Sequence, residues 1–419
     1  MSLAQRLRPY WLRIVLVASI IGPGIITANV DNDAGGISTY SVAGANYGYT
    51  LLWMMPLVAV ALIIVQEMSA RLGVFTGKGL ADLIREGMGV RWTAIIIILL
   101  VFVNLANTVS EFAGVAASME IFGVSKFISV PLAAILVWLL ITRGNYATVE
   151  KIFLVASAIY LAYVASGVLA SPDWQEVGQA LVSPSFQLNA GYITIFVTII
   201  GTTIAPWMQF YQQSSIVDKG IKPAYYKYER LDVVIGSLFA VFVASFIMIA
   251  CAATLYKNGI TIASAEDAAV ALAPLAGKYA SILFALGLLN ASVFAAAILP
   301  LSTAYTVAEA FGWESSVSRN FREAPIFFII FTSLIVLGAL IVLLPLESLI
   351  KAMIFSQTLN GVLLPVILIV MLLLINNKRL MGKNVNGRIF NFLAWGTVLI
   401  LIVLATILIL TSFFPGLFG

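Results

Sequence analysis

The chain has 419 residues, 61% apolar and 10% charged, with a mean hydropathy of +1.04 and a formal net charge of +4. A soluble domain is about half apolar and about a quarter charged, and no water-soluble fold of this length hides so much apolar surface, so the sequence is that of an integral membrane protein; disorder, collagen and a disulfide scaffold are excluded. No histidine is present, which removes histidine-activated nucleophiles, HExxH zinc chemistry and histidine proton relays, and the small positive charge points to no nucleic-acid partner.

A hydrocarbon core of about 30 Å is crossed by about 20 helical residues. On that measure the chain carries spans at 11–47, 51–72, 94–121, 127–142, 149–170, 190–217, 228–256, 279–312, 325–344, 347–375 and 388–414, eleven in all. The first continues too far and lacks a small-residue cleavage site, so it is expected to stay in the mature protein rather than act as a signal peptide. With the N-terminus cytoplasmic, 19 of the 23 Lys and Arg residues fall on inner segments, and only Lys126, Lys257, Lys278 and Lys351 lie outside. The positive-inside rule then puts the C-terminus outside. Cys251 lies in an apolar run and reads as a small packing residue. The longer loops, 171–189 and 257–278 outside and 218–227 and 313–324 inside, have no soluble-domain composition and no cofactor motif.

Two spans are interrupted. Span 1 carries Gly22-Pro23-Gly24 and then Asn29-Val30-Asp31-Asn32-Asp33-Ala34-Gly35-Gly36; span 6 carries Gly201-Thr202-Thr203-Ile204-Ala205-Pro206. Glycine and proline free backbone groups from a helix, and in hydrocarbon those groups need protein, water or an ion. The breaks are about 170 residues and five spans apart. An odd number of spans per repeat inverts the second copy, the layout of a transporter with a midplane site between broken helices. The expected architecture is all-α: one transporter domain of eleven transmembrane helices, with LeuT-like inverted repeats at 11–170 and 190–375 and an extra helix at 388–414.

Of 19 acidic residues, Asp31, Asp33 and Glu111 are the deep ones; Glu67, Asp232 and Glu309 sit near cytoplasmic ends, and Glu67 can pair with Arg71 four residues on. Carboxylates at membrane depth are costly and usually functional. Asp33 reads as the anchor of a cation, or as the cap of the half-helix that follows. Asp31 reads as a ligand or a water-facing group, and Glu111 as a site residue or a partner for Asn107 or another helix. Freed carbonyls at Thr202 and near Gly36 are hard oxygen donors, which suit magnesium, calcium or manganese better than copper or zinc. Gln357 reads as an ion ligand or an interhelical hydrogen bond, Trp207 as a wall or packing, Asn104 and Asn107 as cavity lining or helix glue, and Thr202 and Thr203 as ion hydration or repair of the broken helix.

At these residues the chain resembles the NRAMP family of divalent-metal transporters. The likeness runs without a gap from Gly22-Pro23-Gly24 to Gly48-Tyr49-Thr50, and continues in Ser69-Ala70-Arg71-Leu72-Gly73, Thr76-Gly77, the 201–206 break, Ser356-Gln357 and Pro365. It thus covers spans 1–10. The resemblance implies a metal site at Asp33, Gly36, Thr202, Ala205, Gln357 and Asp31, with Thr203, Trp207, Thr108, Glu111 and Asn107 along the route or around the site. Where the family has Asp-Pro-Gly-Asn, this chain has Asp33-Ala34-Gly35-Gly36. Where the family has Met-Pro-His, it has Ala205-Pro206-Trp207; the family's second histidine aligns with Gln212; and the family's Asp-Leu-Ala-Glu is Thr108-Val109-Ser110-Glu111. Loss of the thioether removes a filter against hard cations, and Gly36 and Ala205 are expected to enlarge the site.

The pattern is similar to the magnesium-transporting branch of that family. It implies uptake of magnesium, with manganese tolerated, as substrate rather than cofactor, by a monomer in the cell membrane and with little proton coupling. A proton-coupled manganese or transition-metal importer is the alternative. An organic-solute symporter would have its carboxylate repelled by two aspartates. An intramembrane aspartyl protease is opposed by the closeness of Asp31 and Asp33, and a non-transporting subunit leaves the paired breaks unexplained.

Overall fold

The computed structural model describes residues 30–143, 157–187, 189–317 and 319–413. The principal helices are α1 (Ala34–Tyr47), α2 (Met54–Thr76), α3 (Leu80–Met88), α4 (Val90–Glu120), α5 (Lys126–Arg143), α6 (Leu161–Leu169), α7 (Trp174–Val182), α8 (Ala190–Thr203), α9 (Pro206–Asp218), α10 (Tyr226–Thr254), α11 (Ala280–Phe311), α12 (Pro325–Leu343), α13 (Leu349–Ile375) and α14 (Arg388–Phe413). Among the described residues, nine segments are long and apolar enough to cross a membrane. Eight of them match predicted spans to within about five residues; the ninth, Ala265–Phe311, begins 14 residues before the predicted span 279–312. The other two predicted spans fall partly outside the described residues: span 1 up to residue 29 and span 5 up to residue 156. Their described parts include α1 and α6.

Local chemistry sets the helix ends. α2 stops at Gly77, whose φ of 65° is left-handed and whose N–H returns to the Gly73 carbonyl at 2.9 Å. α8 starts where the Asn189 side chain accepts the Tyr192 N–H at 2.8 Å. Short helices lie between the predicted spans, two of them of nine residues. The segment between spans 2 and 3 contains α3, which buries Leu80, Ala81, Leu83 and Ile84, and loop 171–189 contains α7, capped by Asp173. Both are too short to register as spans.

α4 runs along α11 and α13, α8 lies on α13, and α10 packs on α1 and α2. Small residues allow this closeness, because helices in lipid associate through packing rather than a hydrophobic drive. A Cβ added at Gly201 of α8 would strike the backbone of Gly361 on α13, so these two helices cross backbone to backbone. α14 and α5 turn apolar side chains such as Phe392, Leu399, Leu132 and Ile135 outward, as a lipid-facing surface does. At the end of the molecule that holds the α2 C-terminus, Glu67 and Arg71 form the expected pair at 3.0 Å. Tyr226 of α10 donates to the same carboxylate, and Arg71 also reaches the Asn384 carbonyl at 3.2 Å. These contacts clasp α2, α10 and the segment before α14.

Candidate cation site

Both breaks lie inside the bundle. In the first, residues 30 and 31 are helical, 32 and 33 form a turn and bend, and α1 begins at Ala34. Asp33 caps α1: its Oδ1 accepts the Gly36 N–H at 2.6 Å. In the second, α8 ends at Thr203 and Ala205 is extended (φ −66°, ψ 138°); Pro206 then opens α9. Pro206 has no N–H to offer the Thr202 carbonyl four residues earlier.

The two breaks meet at Gly36. A Cβ placed there would lie 2.6 Å from the Asp31 carbonyl oxygen, 3.3 Å from Thr202 Oγ1 and 3.4 Å from Asp33 Oδ1. Three oxygens from two helices thus converge on one point. The expectation that Gly36 widens the site is corrected by this geometry: the missing side chain admits the Asp31 carbonyl and Thr202 rather than empty volume. The shell around that point is rich in acceptors and short of donors. Asp31 is 2% exposed, and neither of its carboxylate oxygens has a hydrogen-bond partner; nor does Thr202 Oγ1. Glu111 on α4 is fully buried; its Oε2 accepts the Ala34 N–H at 3.3 Å and its Oε1 has no partner. Glu111 therefore joins α4 to the start of α1, whereas its candidate partner Asn107 bonds elsewhere.

Gln357 closes the site from α13. Its Nε2 donates to both Asp33 carboxylate oxygens at 3.4 Å, and it lies so close over Gly35 that no Cβ fits there. The amide is oriented by Asn360, whose Nδ2 donates to Gln357 Oε1 at 2.7 Å and to Asn107 Oδ1 at 3.1 Å; Asn107 Nδ2 donates back to Asn360 Oδ1 at 2.9 Å. Asn107 is thus tied into a relay that ends on Gln357. Sequence reading missed Asn360, although an asparagine three residues after a glutamine in an apolar helix is a usable signal.

The remaining predicted residues serve the walls. Thr203 Oγ1 donates to its own helix at the Ile199 carbonyl, 2.7 Å away, and meets Tyr40 OH at 2.7 Å, which repairs the end of α8 and ties it to α1. Ala205 is buried; its carbonyl accepts the Met208 N–H at 3.1 Å and, with the amide nitrogen of Gln209 turned toward the break, that donor at 2.7 Å. Its side chain, a methyl group, has no ligand atom to offer. Trp207 is buried beside Tyr211, ring centroids 6.3 Å apart, and its carbonyl accepts from Ser302 at 3.2 Å. Thr108 Oγ1 returns to the Asn104 carbonyl at 2.8 Å, and Asn104 donates to Thr303 at 2.8 Å, gluing α4 to α11. Among the described residues no three His, Cys, Asp or Glu side chains gather closely enough to hold a metal by themselves. A cation here would rest on few charges and several neutral oxygens.

Replacing Asn360 with alanine is expected to free Gln357 while leaving Asp33 untouched. One lost orienting hydrogen bond is worth about 1 kcal/mol, so the KM for the transported ion should rise about fivefold with kcat little changed, measured by initial rates of uptake into liposomes.

A family model described as Nramp, natural resistance-associated macrophage protein-like, matches residues 24–411. The divalent metal cation transporter MntH of Erwinia tasmaniensis is 28% identical over 403 residues, covering 92% of this chain and 92% of that protein. MntH of Yersinia pestis (strain Pestoides F) is 28% identical over 407 residues, covering 94% and 95%. The crystal structure of the Eremococcus coleocola manganese transporter, in complex with an aromatic bis-isothiourea substituted compound, aligns with a TM-score of 0.76 at 22% identity over 96% of this chain and 88% of its own. Mhp1, a nucleobase-cation-symport-1 family transporter, aligns with a TM-score of 0.59 at 16% identity over 93% and 91%. These two likenesses are of fold. The family match takes in both breaks and every helix described above except the last two residues of α14, and the chain belongs to the Nramp-like family of membrane proteins.

Proposed function

We propose that this chain is a divalent-cation carrier that takes up magnesium, with manganese tolerated, by alternating access across the cell membrane. The observation that carries the reading is the convergence at Gly36 of the Asp31 carbonyl, Thr202 Oγ1 and Asp33 Oδ1, beside the unpartnered carboxylate oxygens of Asp31 and the unpartnered Oε1 of Glu111. Buried polar atoms are nearly always paired, and an oxygen cluster with this many unpartnered acceptors is completed by a cation. The set is all oxygen, with no sulfur or ring nitrogen, which suits a hard ion. Magnesium holds its water and binds through one or two carboxylates, so a site with Asp33 and a few neutral oxygens fits an ion that keeps part of its shell. The named relatives act on divalent metal cations and manganese; the departures from the family motif, above all Ala205 in place of methionine, support magnesium for this chain.

The same reading includes eleven membrane helices in two inverted five-helix repeats, residues 11–170 and 190–375, with the N-terminus cytoplasmic, the C-terminus outside and a monomer as the working unit. Uptake is not coupled to protons. Thr108 stands where the family motif has an acid, and its hydroxyl is spent on its own helix. Its methyl group packs against α12, where a Cβ at Gly338 would lie 2.7 Å from it. That contact is apolar and closed, and offers a proton no carrier. Proton-coupled manganese import is the competing reading that the relatives' names favour.

The test is uptake by the purified protein in liposomes holding a magnesium-sensitive dye and a pH dye. Magnesium influx without acidification supports the proposal; manganese influx with acidification, and none of magnesium, rejects it. In the same assay Ala205→Met should raise the preference for manganese and cadmium over magnesium on the order of tenfold, about 1.4 kcal/mol, because a thioether rewards soft ions. An unchanged ratio would show that the Ala205 position does not face the ion.

A further inference from the structure

Inward of the second break lies a group of buried polar side chains that the site above does not use. Glu229, in the first turn of α10, is fully buried, and its carboxylate has no hydrogen-bond partner beyond the amide of Gln212 on α9. That amide is itself fully buried and has no other hydrogen-bond partner. Asp232, one turn further along α10, and Lys219, at the end of α9, face Glu229 as well. Gln66 of α2 is buried with both amide atoms unpartnered. It lies three residues before Ser69, whose hydroxyl donates to the Gln209 carbonyl of α9 at 2.6 Å, so it shares the face of α2 turned to α9. Gln212 is three residues beyond Gln209 on α9 and seven beyond Ala205, about 10 Å along the helix from the break at 1.5 Å per residue.

Three buried side chains whose hydrogen-bonding groups are largely unmet, on α2 and on the two helices that pack against it, point to a guest rather than to structural glue, which would satisfy itself. The carboxylate and the amide oxygens are hard acceptors, and the amide nitrogens can hold water. We propose that Glu229, Gln212 and Gln66 form a second, weaker site for the hydrated divalent cation, which the ion occupies on the inner side after leaving Asp33. The proposal rests on the carrier reading above. It gives the route a step: the ion moves from a site with two aspartates at the break to one whose main charge is Glu229, already opposed by Lys219. Weak binding there favours release.

The test is calorimetric titration of magnesium chloride into the full-length purified protein, with manganese chloride as a second probe, alongside liposome uptake. The wild type should show two classes of site. Glu229→Gln should remove the weaker class, leave the tighter one, and lower the maximal uptake rate several-fold at unchanged KM; Glu229→Asp should restore part of both. Gln212→Leu keeps the charge and should weaken the second class about tenfold, which covers the case in which Glu229→Gln does not fold. Asp33→Asn should remove the tighter class only. If Glu229→Gln and Gln212→Leu titrate and transport like the wild type, the cluster holds water alone and the proposal is wrong. If Asp33→Asn leaves both classes intact while Glu229→Gln removes one, the inner site stands and the reading of the break as the principal site fails.

Discussion

Asp33→Asn is expected to abolish cation uptake while leaving the fold intact. Asparagine caps helices as well as aspartate does, so its oxygen can keep the 2.6 Å contact to the Gly36 N–H and α1 should still start at Ala34. What goes is the charge. At an effective dielectric constant of about 20, a unit charge 4 Å from another is worth about 4 kcal/mol, and a divalent ion feels about twice that. Even half of this would lower occupancy by roughly a thousandfold, below detection in a liposome assay. Asp33→Ala removes the same charge and also the cap, about 1 kcal/mol of stability, and so should melt earlier as well as fail to transport. Thermal melting of the two variants beside their uptake separates the roles. Normal uptake by Asp33→Asn would show that the ion does not bind at this break.

Membrane potential, not a proton gradient, should set how far magnesium accumulates. Moving one charge through 100 mV is worth about 2.3 kcal/mol, so a divalent ion gains about 4.6 kcal/mol, equivalent to a gradient on the order of a thousandfold. In liposomes with an imposed inside-negative potential of that size, magnesium should keep entering against its own gradient, and collapse of the potential should stop it. A proton gradient of matched energy at zero potential should do nothing. Accumulation that follows pH instead would restore the proton-coupled alternative and leave the closed contact between Thr108 and Gly338 without the role assigned to it.

The sequence shows the fold well because hydrocarbon enforces it. A span must be long and apolar, so α2, α4, α5, the α8–α9 pair and α10 to α14 declare themselves by length alone. α3 and α7 stay hidden because nine residues are too few for that signal. The breaks were legible too, since Gly35-Gly36 and Pro206 have few uses inside a membrane helix. Finer detail was not. No spacing rule says that Glu111 would take the Ala34 N–H, or that Asn107 would act through Asn360 on Gln357, because those contacts join residues 77 and 253 positions apart. Nor does a glycine at 36 announce whether it leaves room or lets a carbonyl in. Glu229 was passed over because sequence gives depth along a span but not burial among neighbouring helices.

Gly201 and Gly361 weld α8 to α13, and Gly44 does the same for α1, since a Cβ there would strike the Met248 carbonyl of α10. Helices in backbone contact are tightly interlocked and travel as one body. In the carrier proposed above, Thr202 would ride with Gln357 as one jaw and Asp31 and Asp33 with α10 as the other, the jaws meeting through side-chain contacts such as Tyr40 with Thr203 and Gln357 with Asp33. On that reading the ion is the rivet between two plates: it is gripped only while the plates are closed, and whatever parts them lets it go.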